Sequence, residues 1–450
     1  MKNISDYTII QRDADGFGRA VYSGTFTPND NAKVVARVMR EDDNMTVVGW
    51  SECEADGEEW KINLVIPQGG LYRIEVRQAA LDNHFKNNTL DWASLIACAR
   101  HVGVGDIFIL AGQSNMSGYG KDPAYDPPQL GVHLYDNSGD WVLASHPLFS
   151  VPDPIYCNND ESSGTSPGLA FGKLLSKRLN IPIGLVSAAR GGSSLEEWNP
   201  AGEEHELFDA LCEKVNETGK FAGMLWYQGC NETNENEEAE TYLEKFEEAV
   251  SLWRKKFGHF PIVTCQINRH AWRLEDKERN WGLVREAQRQ AAIKIPDVFV
   301  VPTMDMPTCD GIHNTSASCV TVGERIANAM LKHYGLRSAS APSVKSVKKL
   351  DSRTVLLTFY ESHTLRTMDD IATGINIEDA NGIINCTKVC ACGDTVEVTA
   401  ERDIGENALF HAYWKREEPA FFIRDVYGLP MLACYGVKIE EKEAEKGGAN

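Results

Sequence analysis

The chain has 450 residues and a formal net charge of −20 at pH 7, with 42% hydrophobic, 24% charged and 9% aromatic residues. A polyanion is repelled by nucleic acid and by anionic membranes, so we expect neither as a partner. The length predicts two or three domains, and no apolar run approaches the ~18 residues that a membrane-spanning helix needs. The first six residues lack the apolar core of a signal peptide, which favours a cytoplasmic protein.

Residues 1–98 have the pattern of an antiparallel β-sandwich. Short β-rich runs with apolar and polar alternation are separated by turn signals such as Gly69-Gly70. The expected strands are 7–11, 19–22, 33–38, 60–66 and 71–76.

Residues 99–337 change to a different period, in which apolar runs of strand length alternate with amphipathic stretches of helix length. This alternation predicts an α/β domain with a parallel sheet wrapped by helices. The expected strands are 106–111, 183–188, 223–228, 262–267 and 298–302. The expected helices are 167–179, 204–215, 239–257, 283–293 and 317–333.

Strand character returns in residues 341–440, after a linker at 338–342, and predicts a second β-rich domain. Residues 441–450 are charged and glycine-rich, which predicts a disordered tail. The twelve cysteines are scattered and form no CxxC pair, so we interpret them as free thiols and expect no metal.

The pentapeptide GQSNM at residues 112–116 directly follows the expected strand 106–111, so the chain must turn sharply there. If a helix starts after this turn, Ser114 lies beside backbone N–H groups at a positive helix end. Such groups can hold the oxyanion of an acyl-transfer intermediate. A helix-capping serine without chemistry explains the same residues equally well. The next glycine is Gly118, which excludes the GxSxG elbow of α/β-hydrolases.

The second pattern is the pentapeptide DGIHN at residues 310–314. Asp310, three residues before His313, can hydrogen-bond the imidazole, fix its tautomer and support the imidazolium formed during proton transfer. A surface turn ahead of the next helix is the alternative for an isolated DxxH pair.

Two more expected strands end in turns with polar groups. One runs into Gly191-Gly192, and the other ends at Gln228 and is followed by Asn231. Exposed glycine N–H groups and side-chain amides are the parts that an oxyanion hole requires. Taken alone, each turn is an ordinary connection from a strand to a helix.

These turns share one property, which is that they follow the carboxyl ends of expected parallel strands. Ser114, Gly191, Gln228 and Asp310 each lie at such an end or one short loop beyond it. Open α/β sheets bind their ligands at this edge. We therefore expect a nucleophile, hydrogen-bond donors and a base to meet there.

At these turns the sequence resembles the SGNH-hydrolase superfamily, above all its sialate O-acetylesterase and acetylxylan-esterase-like branch. The similar blocks occur in order: GQSNM, GGS before LEEW, WYQG and the DxxH pair. The stretch ARHVGVGD at 99–106 resembles the entry to the catalytic domain, and YW at 413–414 with YGLP at 427–430 resembles the end of the sialate esterases' C-terminal sandwich. The resemblance implies a flavodoxin-like esterase domain flanked by N- and C-terminal β-sandwich domains.

The resemblance also implies functions for individual residues. By position, Ser114 is the nucleophile, His313 is the general base and Asp310 orients that base. The oxyanion donors are the N–H groups of Ser114, Gly191 and Gly192, completed by a side chain. Arg285 and Gln288 match a further family motif, which implies a structural or a pocket-lining role. If they line the pocket, we expect them to bind substrate.

The chain departs from the family at the third block, where it reads QGC instead of the usual QGE. Cys230 therefore replaces a glutamate, whose hydrogen bonds must be supplied elsewhere or lost. Asn231 lies where the wider superfamily places its oxyanion asparagine. Gln228 and Asn231 consequently compete as the third donor.

The implied activity is removal of acetyl groups from a carbohydrate through an acyl-enzyme, without a metal or other cofactor. The sugar is acetylated sialic acid or, alternatively, acetylated xylan or another plant oligosaccharide. Four basic side chains lie at or after strand ends and can either receive a sialic acid carboxylate or be ordinary surface cations. They are Arg190, Arg269, His270 and Arg273. A carbohydrate-binding protein on an inactive esterase scaffold is the alternative from another class. We disfavour a lipid or thioester hydrolase because no apolar lid-like stretch accompanies the site.

Overall fold

The computed structural model describes residues 2–81, 93–149, 164–271, 277–361, 364–367, 374–416 and 423–441. Across these ranges the chain forms an α/β fold in which a central mixed sheet with helices on both faces lies between two β-rich ends. Within these ranges, no helix is both long and apolar enough to cross a membrane.

The N-terminal part consists of two sheets that enclose one core. Sheet alternation decides the packing, since strand residues such as Tyr22 and Leu64 point inward while their neighbours are exposed. One sheet holds β2, β5 and β6, and the other holds β3, β4, β7 and the first half of β8, with β1 alongside β8. The strands are β1 Ile9–Gln11, β2 Phe17–Thr25, β3 Ala32–Arg40, β4 Thr46–Glu52, β5 Glu54–Asp56, β6 Glu59–Pro67, β7 Gly69–Ala80 and β8 Ala93–Gly112.

Strand β8 continues without interruption from the N-terminal part into the central sheet. Its first half pairs with β7, for example Cys98 with Glu75, and its second half enters the parallel sheet. Gly105 lies at the crossing, where a Cβ atom would come within 1.9 Å of the Pro182 carbonyl oxygen. The expected domain boundary at 98 and 99 therefore falls inside a strand rather than in a linker.

The central sheet has the strand order β10-β9-β11-β8-β12-β13-β14. Apart from the antiparallel β10, its strands run parallel, and β11-β8-β12-β13-β14 is the order of flavodoxin-like sheets. The strands are β9 Val132–Tyr135, β10 Trp141–Leu143, β11 Ile183–Ser187, β12 Gly223–Tyr227, β13 Ile262–Cys265 and β14 Val298–Val301.

Helices cover both faces of this sheet, because successive residues of β8 alternate between two cores. Ile107 and Ile109 pack towards α3, α4 and α5, whereas Phe108 and Leu110 pack towards α2 and α6. The helices are α1 Ser114–Ser117, α2 Pro167–Leu179, α3 Glu206–Thr218, α4 Asn236–Phe257, α5 Glu278–Lys294 and α6 Ser316–His333, with 3-10 turns at Glu196–Trp198 and Asn231–Asn234. All five expected helices are present.

The C-terminal part is a closed seven-stranded barrel, so the expected sandwich is wrong. Its order is β15-β16-β20-β19-β18-β21-β23, and parallel pairing of Val347 with Ile439 joins β15 to β23. This pairing joins two edges that a sandwich would leave open. A register shift between Cys386 and Lys388 interrupts the pairing of the long strand β19 with β20. The strands are β15 Val344–Lys349, β16 Thr354–Phe359, β17 Leu365–Arg366, β18 Ile375–Asp379, β19 Gly382–Cys392, β20 Thr395–Ala400, β21 Leu409–Ala412, β22 Arg424–Asp425 and β23 Cys434–Glu440.

Two further sequence expectations concern the C-terminal tail and the cysteines. The tail expected at 441–450 lies outside them except for Glu441. The eleven cysteines inside them are free thiols, as expected.

Candidate active site

Ser114 stands at the turn between β8 and α1. Gly112 makes this turn possible: its φ is 119°, and a Cβ there would come within 2.4 Å of the Tyr227 carbonyl oxygen. Helix α1 has only four residues, so the local N–H groups, rather than a long helix dipole, are what it offers a bound oxyanion. Ser114 is 8% exposed and opens onto a cavity of about 380 Å³.

The structure brings Ser114, His313 and Asp310 together in one hydrogen-bonded chain. His313 Nε2 lies 2.9 Å from Ser114 Oγ, and His313 Nδ1 lies 2.6 Å from Asp310 Oδ2. The second Asp310 oxygen accepts the N–H groups of His313 at 2.9 Å and Ile312 at 3.2 Å. A ring held in this way has its Nδ1 proton directed at the carboxylate and Nε2 free to accept the hydroxyl proton.

The electrostatics of Asp310 suit a negatively charged partner for the imidazole. Partial burial acts to raise its pKa, but the hydrogen bonds from the His313 ring and from the two backbone N–H groups outweigh burial and lower the pKa below its usual value. Asp310 is therefore ionised at neutral pH, where it stabilises an imidazolium on His313.

Two residues that sequence reasoning did not single out hold the histidine loop in place. Asn115 accepts the Asn314 N–H at 2.9 Å and donates to the Ile312 carbonyl at 3.2 Å, which ties this loop to the serine turn. Tyr119 stacks on the His313 ring with centroids 4.4 Å apart and planes at 19°. Asn115 belongs to the GQSNM block, so the resemblance could have identified it. Tyr119 lies outside every block of the resemblance, so no sequence signal marks it.

The two expected donor turns line the same cavity as Ser114. Gly191 and Gly192 follow β11, and Asn231 begins the 3-10 turn after β12. The Asn231 side chain lies at the cavity wall, where its Oδ1 atom accepts from Asn234 Nδ2 at 3.4 Å. Parallel strands that end at one edge thus bring these turns together.

Gln228 lies behind the wall of the cavity and not in it. Its side chain is fully buried, and Nε2 donates to the Ser193 carbonyl at 3.2 Å and to Glu232 Oε2 at 2.5 Å. Its Oε1 accepts the Tyr242 hydroxyl at 3.1 Å. Both amide hydrogens are used in these bonds, so this geometry argues against the expectation that Gln228 is an oxyanion donor.

Cys230 lines the cavity as a neutral thiol, because burial raises its pKa to about 12. Its backbone is held from the serine turn: Gln113 Oε1 accepts the N–H groups of Gly229 at 2.9 Å and of Cys230 at 3.0 Å. The Gln of the GQSNM block therefore fixes the position of the turn that carries Asn231.

Of the expected substrate-binding residues that the structure describes, only His270 lines the cavity, where its ring stacks on Trp281 with centroids 5.5 Å apart. Burial, and then the charge of Arg416, lower the pKa of His270. Arg190 is paired with Glu197 at 2.9 Å and does not line the cavity.

Three further candidates have structural positions or lie outside the described residues. Arg269 donates to the Met306 carbonyl at 2.9 Å, outside the cavity lining. Arg285 and Gln288 are buried and bond to backbone groups of neighbouring strands and loops, which matches the structural alternative and argues against direct contact with substrate. Arg273 lies outside the described residues.

Two cations in the cavity were missed by sequence reasoning. Lys277 precedes α5, and Arg416 comes from the loop after β21 of the C-terminal barrel. The Arg416 carbonyl accepts the His270 N–H at 2.9 Å, and its N–H donates to the Glu278 carboxylate. Nothing in the local sequence marks Arg416, because only the docking of the barrel brings it to the site.

Among the described side chains, no group of three or more His, Cys, Asp and Glu is arranged to hold a metal ion. The residues that are present form a nucleophile–base–acid chain facing backbone and amide donors. That arrangement suits acyl transfer through a serine.

Comparisons with known proteins agree with this chemistry. The sequence model of the family "carbohydrate esterase, sialic acid-specific acetylesterase" matches residues 104–332. A probable carbohydrate esterase from Arabidopsis thaliana is 27% identical over 253 residues, covering 51% of this chain and 91% of the relative. Human sialate O-acetylesterase is 22% identical over 433 residues, covering 82% of this chain and 77% of the relative.

A solved structure shares the whole architecture. The crystal structure of a carbohydrate acetylesterase from Xanthomonas citri has a TM-score of 0.68 at 21% identity and covers 96% of this chain and 97% of that one. At this identity the likeness concerns the fold, which here extends over the central sheet and both β-rich ends.

Proposed function

This chain belongs to the carbohydrate esterase family of sialic acid-specific acetylesterases, and we propose that its Ser114, His313 and Asp310 carry out the hydrolysis. Membership makes the protein a carboxylic ester hydrolase that acts on an acetylated carbohydrate. The observation that carries the assignment of these residues is the 2.9 Å contact between Ser114 Oγ and His313 Nε2, with Asp310 on the other ring nitrogen.

The mechanism that this geometry supports has two halves. His313 Nε2 takes the Ser114 hydroxyl proton while Oγ attacks the acetyl carbonyl carbon, and Asp310 stabilises the imidazolium. The imidazolium then gives its proton to the sugar oxygen, which leaves as an alcohol. Water, deprotonated by His313, attacks the acetyl-serine and releases acetate and Ser114.

The negative charge on the former carbonyl oxygen needs donors at the cavity wall. We assign these to the N–H groups of Ser114 and the Gly191-Gly192 turn and to the side-chain amide of Asn231. Gln228 is left out because its amide hydrogens bond to Ser193 and Glu232. Preorganised donors of this kind cost no reorganisation as the charge develops.

The decisive experiment uses a fluorophosphonate probe, which phosphonylates an activated serine. Wild-type protein should be labelled on the peptide containing Ser114, and Ser114→Ala should lose both labelling and acetyl-ester hydrolysis. Ser117→Ala, which changes a second serine of the same turn, should retain both. Wild-type hydrolysis by folded Ser114→Ala protein would refute the assignment.

For the sugar, we propose an acetylated sialic acid whose carboxylate is received by Lys277 and Arg416. Both cations line the cavity that Ser114 and His313 open onto, so a carboxylate on the bound sugar can reach them. A neutral sugar leaves both charges without a counter-charge from the substrate.

The substrate assignment is tested by comparing acetylated sialic acid with acetylated xylo-oligosaccharides. Arg416→Gln and Lys277→Gln should each raise KM for the acidic sugar by about tenfold, the equivalent of one exposed ion pair or somewhat more. Hydrolysis of 4-nitrophenyl acetate, which has no carboxylate, should stay within twofold. A wild-type preference for the xylo-oligosaccharide would favour an acetylxylan esterase instead.

A further inference from the structure

Glu232 is a buried carboxylate beside the proposed oxyanion donors. It is 3% exposed and lies in the 3-10 turn Asn231–Asn234. One oxygen accepts the Leu195 N–H at 2.5 Å, and the other accepts from Gln228 Nε2 at 2.5 Å. A charge that is withdrawn from water in this way is tolerated only when its oxygens are hydrogen-bonded.

These bonds join the two turns that carry the donors. Leu195 follows the Gly191-Gly192 turn, while Glu232 is the immediate neighbour of Asn231. Gln228 strengthens the link, since the same Nε2 that donates to Glu232 also donates to the Ser193 carbonyl at 3.2 Å. The Glu232 carboxyl group therefore contributes to the spacing between the glycine turn and the asparagine, together with the bonds of Gln228 and Gln113.

The neighbouring side chain cannot supply this connection. Cys230 is a neutral thiol, and thiols are weak hydrogen-bond acceptors. The two oxygens of Glu232 each accept a bond from a different partner, Leu195 N–H and Gln228 Nε2, and so fix direction as well as distance.

We propose that Glu232 is the positioning residue of the oxyanion hole, whose carboxylate sets the Gly191-Gly192 turn and Asn231 at the spacing that the developing oxyanion requires. The proposal rests on the proposed function. It assigns Glu232 no contact with substrate, and its influence passes through Leu195, Ser193 and Gln228.

The test compares Glu232→Gln with Glu238→Gln, an acidic residue of α4 that pairs with Lys245 at 2.8 Å and is partly exposed. A glutamine at 232 has the same shape but turns an N–H group towards a donor, so one of the two bonds is lost. We expect kcat to fall by at least about tenfold, as for partial loss of one oxyanion donor, with KM within twofold. Glu238→Gln should keep the wild-type kcat.

A second readout separates a displaced oxyanion hole from general loosening of the fold. A thionoester substrate develops its charge on sulfur, which accepts hydrogen bonds poorly, so the wild-type protein should strongly prefer the oxygen ester. In Glu232→Gln this preference should shrink by about tenfold, because the oxygen ester loses the donors that distinguish the two. An unchanged ester-to-thionoester ratio overturns the proposal.

The outcomes also separate this proposal from the assignment of Ser114. If Ser114→Ala is inactive while Glu232→Gln has wild-type kcat, only the positioning proposal fails. If Ser114→Ala is active, the proposed function fails first. If Glu232→Gln does not fold, Glu232→Asp is measured instead, because its shorter side chain keeps the carboxylate but cannot span both partners. A wild-type kcat and a wild-type ester-to-thionoester ratio in Glu232→Asp would also overturn the proposal.

Discussion

Replacing Arg285 by methionine should detach the barrel loop that carries Arg416 from the substrate cavity. The Arg285 side chain is fully buried and donates to five backbone carbonyls. Two of these carbonyls follow a strand of the central sheet, Ile267 at 3.0 Å and Asn268 at 2.8 Å. The other three belong to the barrel, Tyr413 at 3.2 Å, Trp414 at 3.0 Å and Lys415 at 2.6 Å. Methionine fills similar space but satisfies none of these acceptors.

The magnitude follows from what the carbonyls lose. Hydrogen bonds that involve a charged group contribute about 1.5–3 kcal/mol each, but bonds that share one guanidinium are not additive. A buried acceptor that loses its donor costs about 1–3 kcal/mol, so two carbonyls that stay unsolvated give about 2–6 kcal/mol for the loss of unfolding free energy in Arg285→Met. Water that enters the gap can solvate some of the carbonyls, which places the expected value at the lower end of the range.

The assay pairs unfolding with kinetics and uses Arg279→Met as the control. Arg279 lies on the same helix, where it is about half exposed and pairs with Glu240 at 2.7 Å, so its loss should cost less than about 1 kcal/mol. Arg285→Met should unfold at clearly lower urea and show a raised KM for the acidic sugar. Stability within 1 kcal/mol of wild type together with an unchanged KM would refute the reasoning.

Three further predictions concern the site itself. Tyr119→Ala should lower kcat by about tenfold, because the ring that stacks on His313 is lost. The low-field proton NMR signal of the His313 Nδ1–H should broaden in this variant, and a sharp signal with wild-type kcat would contradict the prediction. Asn231→Ala should lower kcat by roughly 10²–10³ with little change in KM, and a kcat within threefold of wild type would exclude it as a donor. Burial raises the pKa of Glu232 from 4.5 to about 7, so the folded state binds this proton more tightly than the unfolded state. The bound proton therefore adds on the order of 3 kcal/mol to the free energy of unfolding below pH 4.5, and this contribution is lost as pH rises through 7. Urea unfolding at several pH values should show this loss in the wild type and not in Glu232→Gln.

Local patterns predicted the helices of the central domain well, and their boundaries show why. The helix expected at 167–179 is present as Pro167–Leu179, because Ser166 caps it through the Gly168 N–H and proline occupies its first position. The helix expected at 283–293 begins earlier, at Glu278, since its first three residues are polar and Gly282 separates the buried Trp281 from the later apolar residues. Periodicity detects apolar residues, and a helix end whose buried face includes a polar residue such as Asn280 escapes it.

Long-range pairing explains two features of the fold that local patterns do not predict. Strand β8 passes the expected boundary because one strand can pair with different neighbours along its length, which no local pattern reports. Closure of the barrel depends on β15 and β23, whose paired residues Val347 and Ile439 lie far apart in the chain. Seven strands of ordinary alternation are compatible with a sandwich or a barrel until that one pairing is known.

The same distinction separates catalysis from specificity in the site. Each proposed catalytic group follows a strand of the parallel sheet, so its residue type and the shared edge together predict that Ser114 and His313 meet. Partners outside the block favour Asn231 over Gln228 in the proposed oxyanion hole, because Tyr242 and Ser193 bond to the Gln228 side chain. Arg416 reaches the cavity only through the docking of a separate barrel. The proposed catalytic groups are therefore encoded within short motifs, whereas the proposed contact of Arg416 with the sugar depends on tertiary contacts that no single segment contains.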